Sequence, residues 1–545
     1  MKPQARLILY GAVLCTWCIF LSVQSCSFAW GRVPAQRPSL TFTVGMLFAT
    51  GVSLLAMRDA VRCRHTAGVS SIIFGLSIIM RLILMPSHPI CELDIYRYMW
   101  DGLVVTETGN PWQFSPALVR ETVREQGPAE LRRLTALRDA SHGVHTTLDR
   151  VHYARLTTIY PPVSQAVFGA AAAVTPRQAT ARTRLIVTRT VITAFDVLTI
   201  LAVLRLLRLV GRPAGWSVCY AWSPLVLKEF ANSGHLDAIA VCSCTWAVVH
   251  WIDGLQRRSR TRLAVAAVLL GLAVGAKLFP LVLVPVITTS VWRRAGVRCF
   301  VTTGLILTIV ATVSLWPMFA HRFMRVVAPG SEADIFEFQE STGAGLQTGE
   351  GMDEFLKCWK MNHFFFLLIE ENLTPRSIAW FALTPQSFRR SITRLVSGRY
   401  EVRSTQAAFL ITRVVTTICF LVIVWRLSWQ SRPDSDHDLL EASFLSLAWF
   451  WLLLPTMNPW YWIWAMPLLP FARQRTWLLM SGCVCLYYLR FWFSNSLGLP
   501  RVPGTMYSGR QFFRYVVVWI EYLPWCCLLA AEWNRHRRKK KPVRL

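Results

Sequence analysis

Apolar runs of near membrane-spanning length recur along the whole chain, separated by short polar stretches. They predict spans at 7–29, 40–57, 68–85, 184–209, 214–230, 236–253, 263–276, 278–291, 299–318, 406–428, 440–455, 459–471, 475–493 and 513–531. A helix needs about 20 apolar residues to cross the hydrocarbon, so the shorter runs are expected to be tilted, broken or re-entrant. The expected fold is an all-α polytopic membrane protein, a bundle of about 12–14 transmembrane helices forming one domain over 1–545. Two large outer loops, 86–183 and 320–405, interrupt the series. Within them VFGAAAAV (167–174) reads as a juxtamembrane helix or an extra span, FFFLLI (364–369) is too short to assign, and the basic RRSITRLVSGR (389–399) would prefer the inside. The first run follows a basic MKPQAR, but it exceeds a signal h-region and lacks a small-x-small exit. It is therefore read as a retained helix.

Composition narrows the class. With 54% hydrophobic and 16% charged residues, a soluble multidomain enzyme is excluded. A net charge of +28 would suit nucleic acid, yet the basic residues form short clusters between apolar runs, as in cytoplasmic loops beside anionic lipid. The expected partner is the bilayer, with no nucleic acid. Placing the basic tail 534–545 inside and alternating the spans also puts Arg58/Arg62/Arg64, Arg205/Arg208/Arg212, Arg257/Arg258/Arg260/Arg262, Arg293/Arg294/Arg298 and Arg473/Arg475 inside. The cysteines lie mostly in or beside apolar runs without zinc-like spacing, and read as small core hydrophobes.

On this threading the polar chemistry gathers at the outer face, in ELDIYRYMWDG (92–102), IYPPVSQ (159–165), KEFANSGHLDAI (228–239), AKLFP (276–280) and TMNPWYW (456–462). Ionisable groups at a membrane edge are costly and tend to be functional. Glu92, Asp94 and Asp101 nevertheless also read as solvated loop charges. On an extended strand Glu92 and Asp94 point the same way. On a helix Asp94 and Asp101 share a face but lie about 10 Å apart, which assigns them different jobs. His235 and Asp237 read either as a helix start, with Asp237 complementing the dipole, or as substrate contacts. Lys277, just before the helix-breaking Pro280, either snorkels or anchors an anionic phosphate. Trp460, Tyr461 and Trp462 suit an interfacial belt as well as a sugar platform.

The series DIYRYMWDG, GNPW (109–112), TIYPPVSQAVFG (158–169), WSPLVLKEFANSGHLDA (222–238), GAKLFPLVLVP (275–285), WKMNHFFF (359–366) and PTMNPWYWIWAMPLL (455–469) resembles polyprenol-phosphate-sugar-dependent glycosyltransferases of the GT-C class, in their bacterial mannosyltransferase-like branch. The resemblance implies a GT-C-like bundle, in a bacterial inner membrane, that takes a sugar, mannose in the first instance, from a polyprenyl-phosphate donor. The acceptor would be a glycan, lipid or protein of the cell envelope, and the active site would lie on the extracytoplasmic face. The family's acidic residue of the first large outer loop corresponds to Asp94, with Glu92 beside it. Two spans precede the one leading into that loop where many relatives have none, and the charged segment 124–147 has no assigned role.

A lipid-phosphate leaving group needs no nucleotide-binding domain, and no GxGxxG sits between a strand and a helix. The chemistry requires a carboxylate as general base, for which Asp94 is the candidate, and cations for the departing phosphate, for which Lys277, Arg97 and His235 are candidates. Asp101, Tyr160, Asn232, Asp237 and Asn362 are expected to position sugar or acceptor, with Trp460 and Tyr461 as platform. No cofactor is required by this reading. A divalent cation on Glu92 and Asp94 stays open, two acids giving only a partial shell. The competing class is a transporter or flippase for a lipid-linked or anionic substrate; against it, the ionisable groups gather at one face and not at mid-span.

Overall fold

The computed structural model of the chain describes residues 3–63, 68–327, 359–375, 377, 382–397, 404–430 and 435–539. Among these residues the secondary structure is helical, apart from one isolated bridge between Met361 and Thr456. The part of the second expected loop at 328–358 and the tail end 540–545 lie outside them. Seven described helices are long and apolar enough to cross a membrane: Pro3–Phe28, Ser39–Arg62, Ala181–Leu209, Asp237–Arg257, Phe279–Ala320, Gln406–Gln430 and Gly509–Arg535. The shorter Val69–Leu84, Arg260–Ala276 and Asp436–Leu453 pack among them. The protein is an all-α, multi-pass integral membrane protein.

Two expected spans are not continuous helices. Residues 214–232 break into the turns Ala214–Ser217, Val218–Ala221 and Pro224–Val226 and the π-helical Leu227–Asn232. Pro224 removes a backbone donor, and Gly215 lies so close to Ala60 that a Cβ there would sit 2.3 Å from its carbonyl carbon. Residues 459–471, with Pro459, Pro467 and Pro470, are likewise short pieces, whereas 475–493 follows one unbroken helical path from Trp477 that passes from α to 3-10 and π geometry. Much of this irregular backbone is buried in protein, the condition under which membranes tolerate it. The expected pair 278–291 and 299–318 is seen as two helical segments that meet at the non-helical Gly296, with φ 83°.

A charge link ties the centre together. Arg81 Nε lies 2.6 Å from Asp196 Oδ2, Tyr220 donates to Asp196 Oδ1 at 2.8 Å, and Arg81 Nη1 donates to the carbonyl of Ala221 at 2.9 Å. Both charges are shielded from solvent, so each needs the other, and together they clamp the Val69–Leu84 and Ala181–Leu209 helices to the broken segment.

The first loop is folded, not extended. Its helix Asp94–Thr108 packs on Pro162–Ala173, where Gly102 comes so close to Phe168 that a Cβ would lie 2.3 Å from that carbonyl oxygen. At 12 residues, Pro162–Ala173 is about 18 Å long and cannot span, which settles VFGAAAAV as a packed loop helix. The charged segment 124–147 contributes the helix Ala129–Asp139 and most of His142–Asp149. Leu131, Leu134, Val144 and Leu148 from these form a small core with Trp100, Leu103 and Val104. That segment buttresses the back of the acid-bearing helix. FFFLLI forms the N-cap, Phe364, and first turns of a helix, Phe365–Leu373, and the basic stretch begins inside Gln386–Ser397.

Candidate active site

Residues beyond the ends of Val69–Leu84, Arg260–Ala276 and Asp436–Leu453 and at the start of Asp237–Arg257 come together beside the folded loop. Between them opens a cleft with about 140 Å³ of free space. Its walls include Glu92, Asp94, Arg97, Tyr160, Asp237, Lys277, Trp460 and Tyr461, so eight of the residues singled out in the sequence converge there.

Local backbone explains the placement. Cys91 (φ 66°), Tyr153 (φ 51°) and Asn362 (φ 53°) hold left-handed conformations uncommon outside glycine, and each adjoins or forms a wall of the cleft. Cys91 turns the chain so that Glu92 and Asp94 both reach the opening. Gly234 (φ 69°) lets Ile95 approach so closely that a Cβ would lie 2.6 Å from its Cδ1, which brings the helix carrying Asp94 against His235.

Three polar groupings frame the cleft. In the first, Lys277 Nζ lies 2.6 Å from Asp237 Oδ1, which also accepts from Trp464 Nε1 at 2.5 Å. The ammonium sits over the rings of Tyr461 and Trp464, at 4.5 and 5.3 Å from their centroids. Lys277 keeps 19% of its side-chain surface exposed, so it is paired yet still presented to the cleft.

In the second, His235 Nε2 lies 3.1 Å from Glu229 Oε2 and Nδ1 lies 4.0 Å from Asp94 Oδ2, while the imidazole stacks on Trp460 at 4.4 Å. Glu229 also pairs with Lys228 at 3.0 Å and accepts from the Tyr488 hydroxyl. His235 lies behind the wall and links a buried carboxylate to Asp94, whose own side chain is 27% exposed. Lys228 and Glu229 were not among the expected site residues. The signal was present in KEFANSGH, since two adjacent charges in an otherwise apolar run demand a reason.

In the third, Arg97 Nε donates to Asp101 Oδ1 at 3.0 Å and Nη2 donates to the carbonyl of Leu156 at 2.8 Å. Gln165 holds Asp101 Oδ2 at 3.1 Å. Asp101 thus orients Arg97 from outside the lining, the separate job its spacing from Asp94 implied. Burial pushes its carboxyl up, against the pull of Arg97.

Two expected contacts lie elsewhere. Asn232 straps the approach to Glu92: its amide donates to Ser87 Oγ and the carbonyl of His88, both at 2.7 Å, and accepts from Ile90 N at 3.0 Å. Asn362 donates to the carbonyl of Met457, Glu521 and Tyr522 beside the Met361–Thr456 bridge, locking the WKMNH and TMNPW motifs together. Neither lines the cleft; their neighbours Met361 and Asn458 do, with Tyr98, His152, Tyr153 and Trp359.

Burial raises the Glu92 carboxyl to about 7, with Lys228 opposing and Asp94 adding to the rise; Tyr487 donates to Glu92 Oε1 at 3.2 Å. For a metal, Glu92 and Asp94 supply two carboxylates, and among the described residues no third His, Cys, Asp or Glu converges with them. The described grouping that does converge, His437, Asp438 and Glu441, lies at the start of Asp436–Leu453, where Arg473 bonds both acids.

Comparison with known proteins assigns this architecture. Residues 392–509 match the MptB C-terminal domain, and residues 6–294 match the N-terminal domain of the alpha-(1->6)-mannopyranosyltransferase family MptA_B. No curated protein and no solved structure matches the chain. Since the N-terminal match alone covers more than half of the sequence and carries the acid-bearing loop, the Asp237 turn and Lys277, the protein belongs to the alpha-(1->6)-mannopyranosyltransferase family and is a membrane glycosyltransferase.

Proposed function

We propose that the protein transfers mannose from a polyprenyl-phosphate donor to an acceptor hydroxyl on the extracytoplasmic side, forming an α-1,6 linkage. The observation that supports this reading is the cleft itself, whose walls include both the Asp94 carboxylate and the Lys277 ammonium. Asp94 takes the proton of the acceptor hydroxyl, and the resulting oxygen attacks the anomeric carbon. The bond from that carbon to the phosphate oxygen breaks, and the polyprenyl phosphate leaves with its charge met by Lys277 and Arg97. Because a single displacement with one general base inverts the anomeric centre, an α-linked product requires a β-linked donor. His235, backed by Glu229, fixes the side of Asp94 away from the acceptor. Trp460 and Tyr461 supply apolar faces for the sugar.

Purified protein in detergent, supplied with radiolabelled β-mannosyl polyprenyl phosphate and a mannoside acceptor, should form product without a sealed compartment. Strict dependence on intact vesicles and an ion gradient would instead favour a transporter. Sidedness is tested separately by an impermeant thiol reagent on a cysteine placed at 145, in a background without native cysteines. Labelling there before lysis supports an extracytoplasmic loop; labelling only after lysis refutes it.

A further inference from the structure

A second cavity lies on the opposite flank of the acid-bearing helix. It offers about 420 Å³, more than the cleft, and its walls include Ser87, His88, Tyr96, His142, Arg150 and Arg182. The helix Asp94–Thr108 separates the two spaces, with Tyr96 facing this one and Asp94, Arg97 and Tyr98 facing the other. We propose that this cavity binds the anionic phosphate group of a membrane lipid, at a site distinct from the transfer cleft.

The argument is electrostatic and positional. No Asp or Glu lines the cavity, while two arginines and two histidines do. Arg150 is held by the Tyr96 hydroxyl at 3.1 Å, and its Nε has no hydrogen-bond partner. Arg182 reaches the carbonyl of Pro86 at 3.3 Å with one of its nitrogens. Behind the wall the fully buried Arg189 donates to the carbonyls of Met85 and Ser87, both at 2.7 Å, while its Nε and Nη2 stay unpartnered. Among the described residues none of these three guanidinium groups has a carboxylate partner. Like charges gathered near one loop raise its energy, and a bound anion relieves them. His88 senses the same field: burial, then Arg182, Arg189 and Arg150, pushes its imidazole below the ordinary range.

Position selects the source of the anion. Pro86 and Ser87 follow the end of Val69–Leu84, and Thr180, Ala181 and Arg182 open the spanning Ala181–Leu209 helix, so the cavity lies at head-group level. The start of that long helix adds its own partial positive charge. Leu185 and Ile186 give the cavity an apolar wall, and Ile79 and Leu82 on the last turns of Val69–Leu84 are exposed. Guanidinium groups pair with phosphate oxygens in a bidentate fork, which makes phosphate the anion these residues fit best.

The test is binding of dioctanoyl phosphatidic acid to the full-length protein in detergent, by isothermal titration, with dioctanoyl phosphatidylcholine and inorganic phosphate as the other arms. The wild type should bind phosphatidic acid at least ~10-fold more tightly than phosphatidylcholine. The pair Arg150→Gln and Arg182→Gln should weaken that binding by ~10-fold or more. Thr146→Glu, which leaves every arginine in place and puts a negative charge on the cavity wall, should weaken it as well. Arg177→Gln, on the nearby surface, should leave it within two-fold. Displacement of the lipid by a similar concentration of inorganic phosphate would assign the site to a free anion and overturn the lipid assignment. Binding unchanged in both the arginine double variant and Thr146→Glu, or phosphatidylcholine binding as tightly, would overturn the site.

Discussion

Breaking the Lys277–Asp237 pair is the most informative perturbation of the cleft. At 2.6 Å, with an effective dielectric of about 20, Coulomb's law gives ~6 kcal/mol of gross attraction, much of it offset by the cost of burying Asp237. Asp237 is 1% exposed, and its second oxygen has no partner. Lys277→Gln therefore leaves a buried carboxylate supported chiefly by Trp464 Nε1, and should destabilise the protein by ~3–4 kcal/mol. Asp237→Asn leaves the ammonium, which is partly exposed and lies over Tyr461 and Trp464, so its cost should be smaller, ~2 kcal/mol. In the double variant no buried charge is orphaned, and its cost should fall short of the summed single effects by ~2 kcal/mol. Mixed-micelle denaturation of the purified variants measures all three quantities. Transfer assays on the same samples separate stability from chemistry: the double variant should recover stability but not donor use, because the cation for the leaving phosphate is gone. Additive single effects, within ~0.5 kcal/mol, would refute the coupling, and full turnover in the double variant would refute the role of Lys277.

Asp94→Asn keeps size and polarity but cannot take a proton, so turnover should fall at least ~10²-fold with donor affinity nearly unchanged; near-normal turnover in well-folded protein would remove Asp94 as the base. If a divalent cation joins Glu92 and Asp94, chelator will inhibit the wild type and Glu92→Gln will be as damaging as Asp94→Asn; insensitivity to chelator counts against the metal. Gly102→Ala forces a methyl group to 2.3 Å from the Phe168 carbonyl, and mixed-micelle denaturation should show a loss of ~1–3 kcal/mol. Glu92 is raised from 4.5 to about 7 in the folded protein, so the folded state holds its proton more tightly than the unfolded chain. Its contribution to stability is present below pH 4.5 and is lost as pH rises through about 7; Glu92→Gln should flatten stability across that window, and an unchanged pH profile would contradict the shift.

Hydropathy sufficed for the membrane class and for most long helices, because hydrocarbon leaves the backbone no partner but itself and so writes the requirement into runs of apolar residues. The convergence of Asp94, Lys277, Asp237 and Tyr461 was likewise legible, since ionisable and aromatic groups at helix ends stand out against an apolar chain. Continuity was not: 214–232 is as apolar as its neighbours, and only packing against Ala60 and the Arg81–Asp196 link makes its broken path tolerable. Segment 124–147 had no assignable role in the sequence because its core partners, Trp100 and Leu103, lie more than twenty residues earlier in the chain. The clearest division is among the polar residues. An amide such as Asn232 or Asn362 bonds equally well to a sugar or to the protein's own polar groups, and the tertiary structure gave both to the protein by bringing the 87–90 segment, Met457, Glu521 and Tyr522 within reach. Glu229 became part of the site the same way, for its link to Asp94 runs through His235 and exists only once Gly234 lets the two helices touch; sequence specifies which groups need partners, and the fold decides which partners arrive.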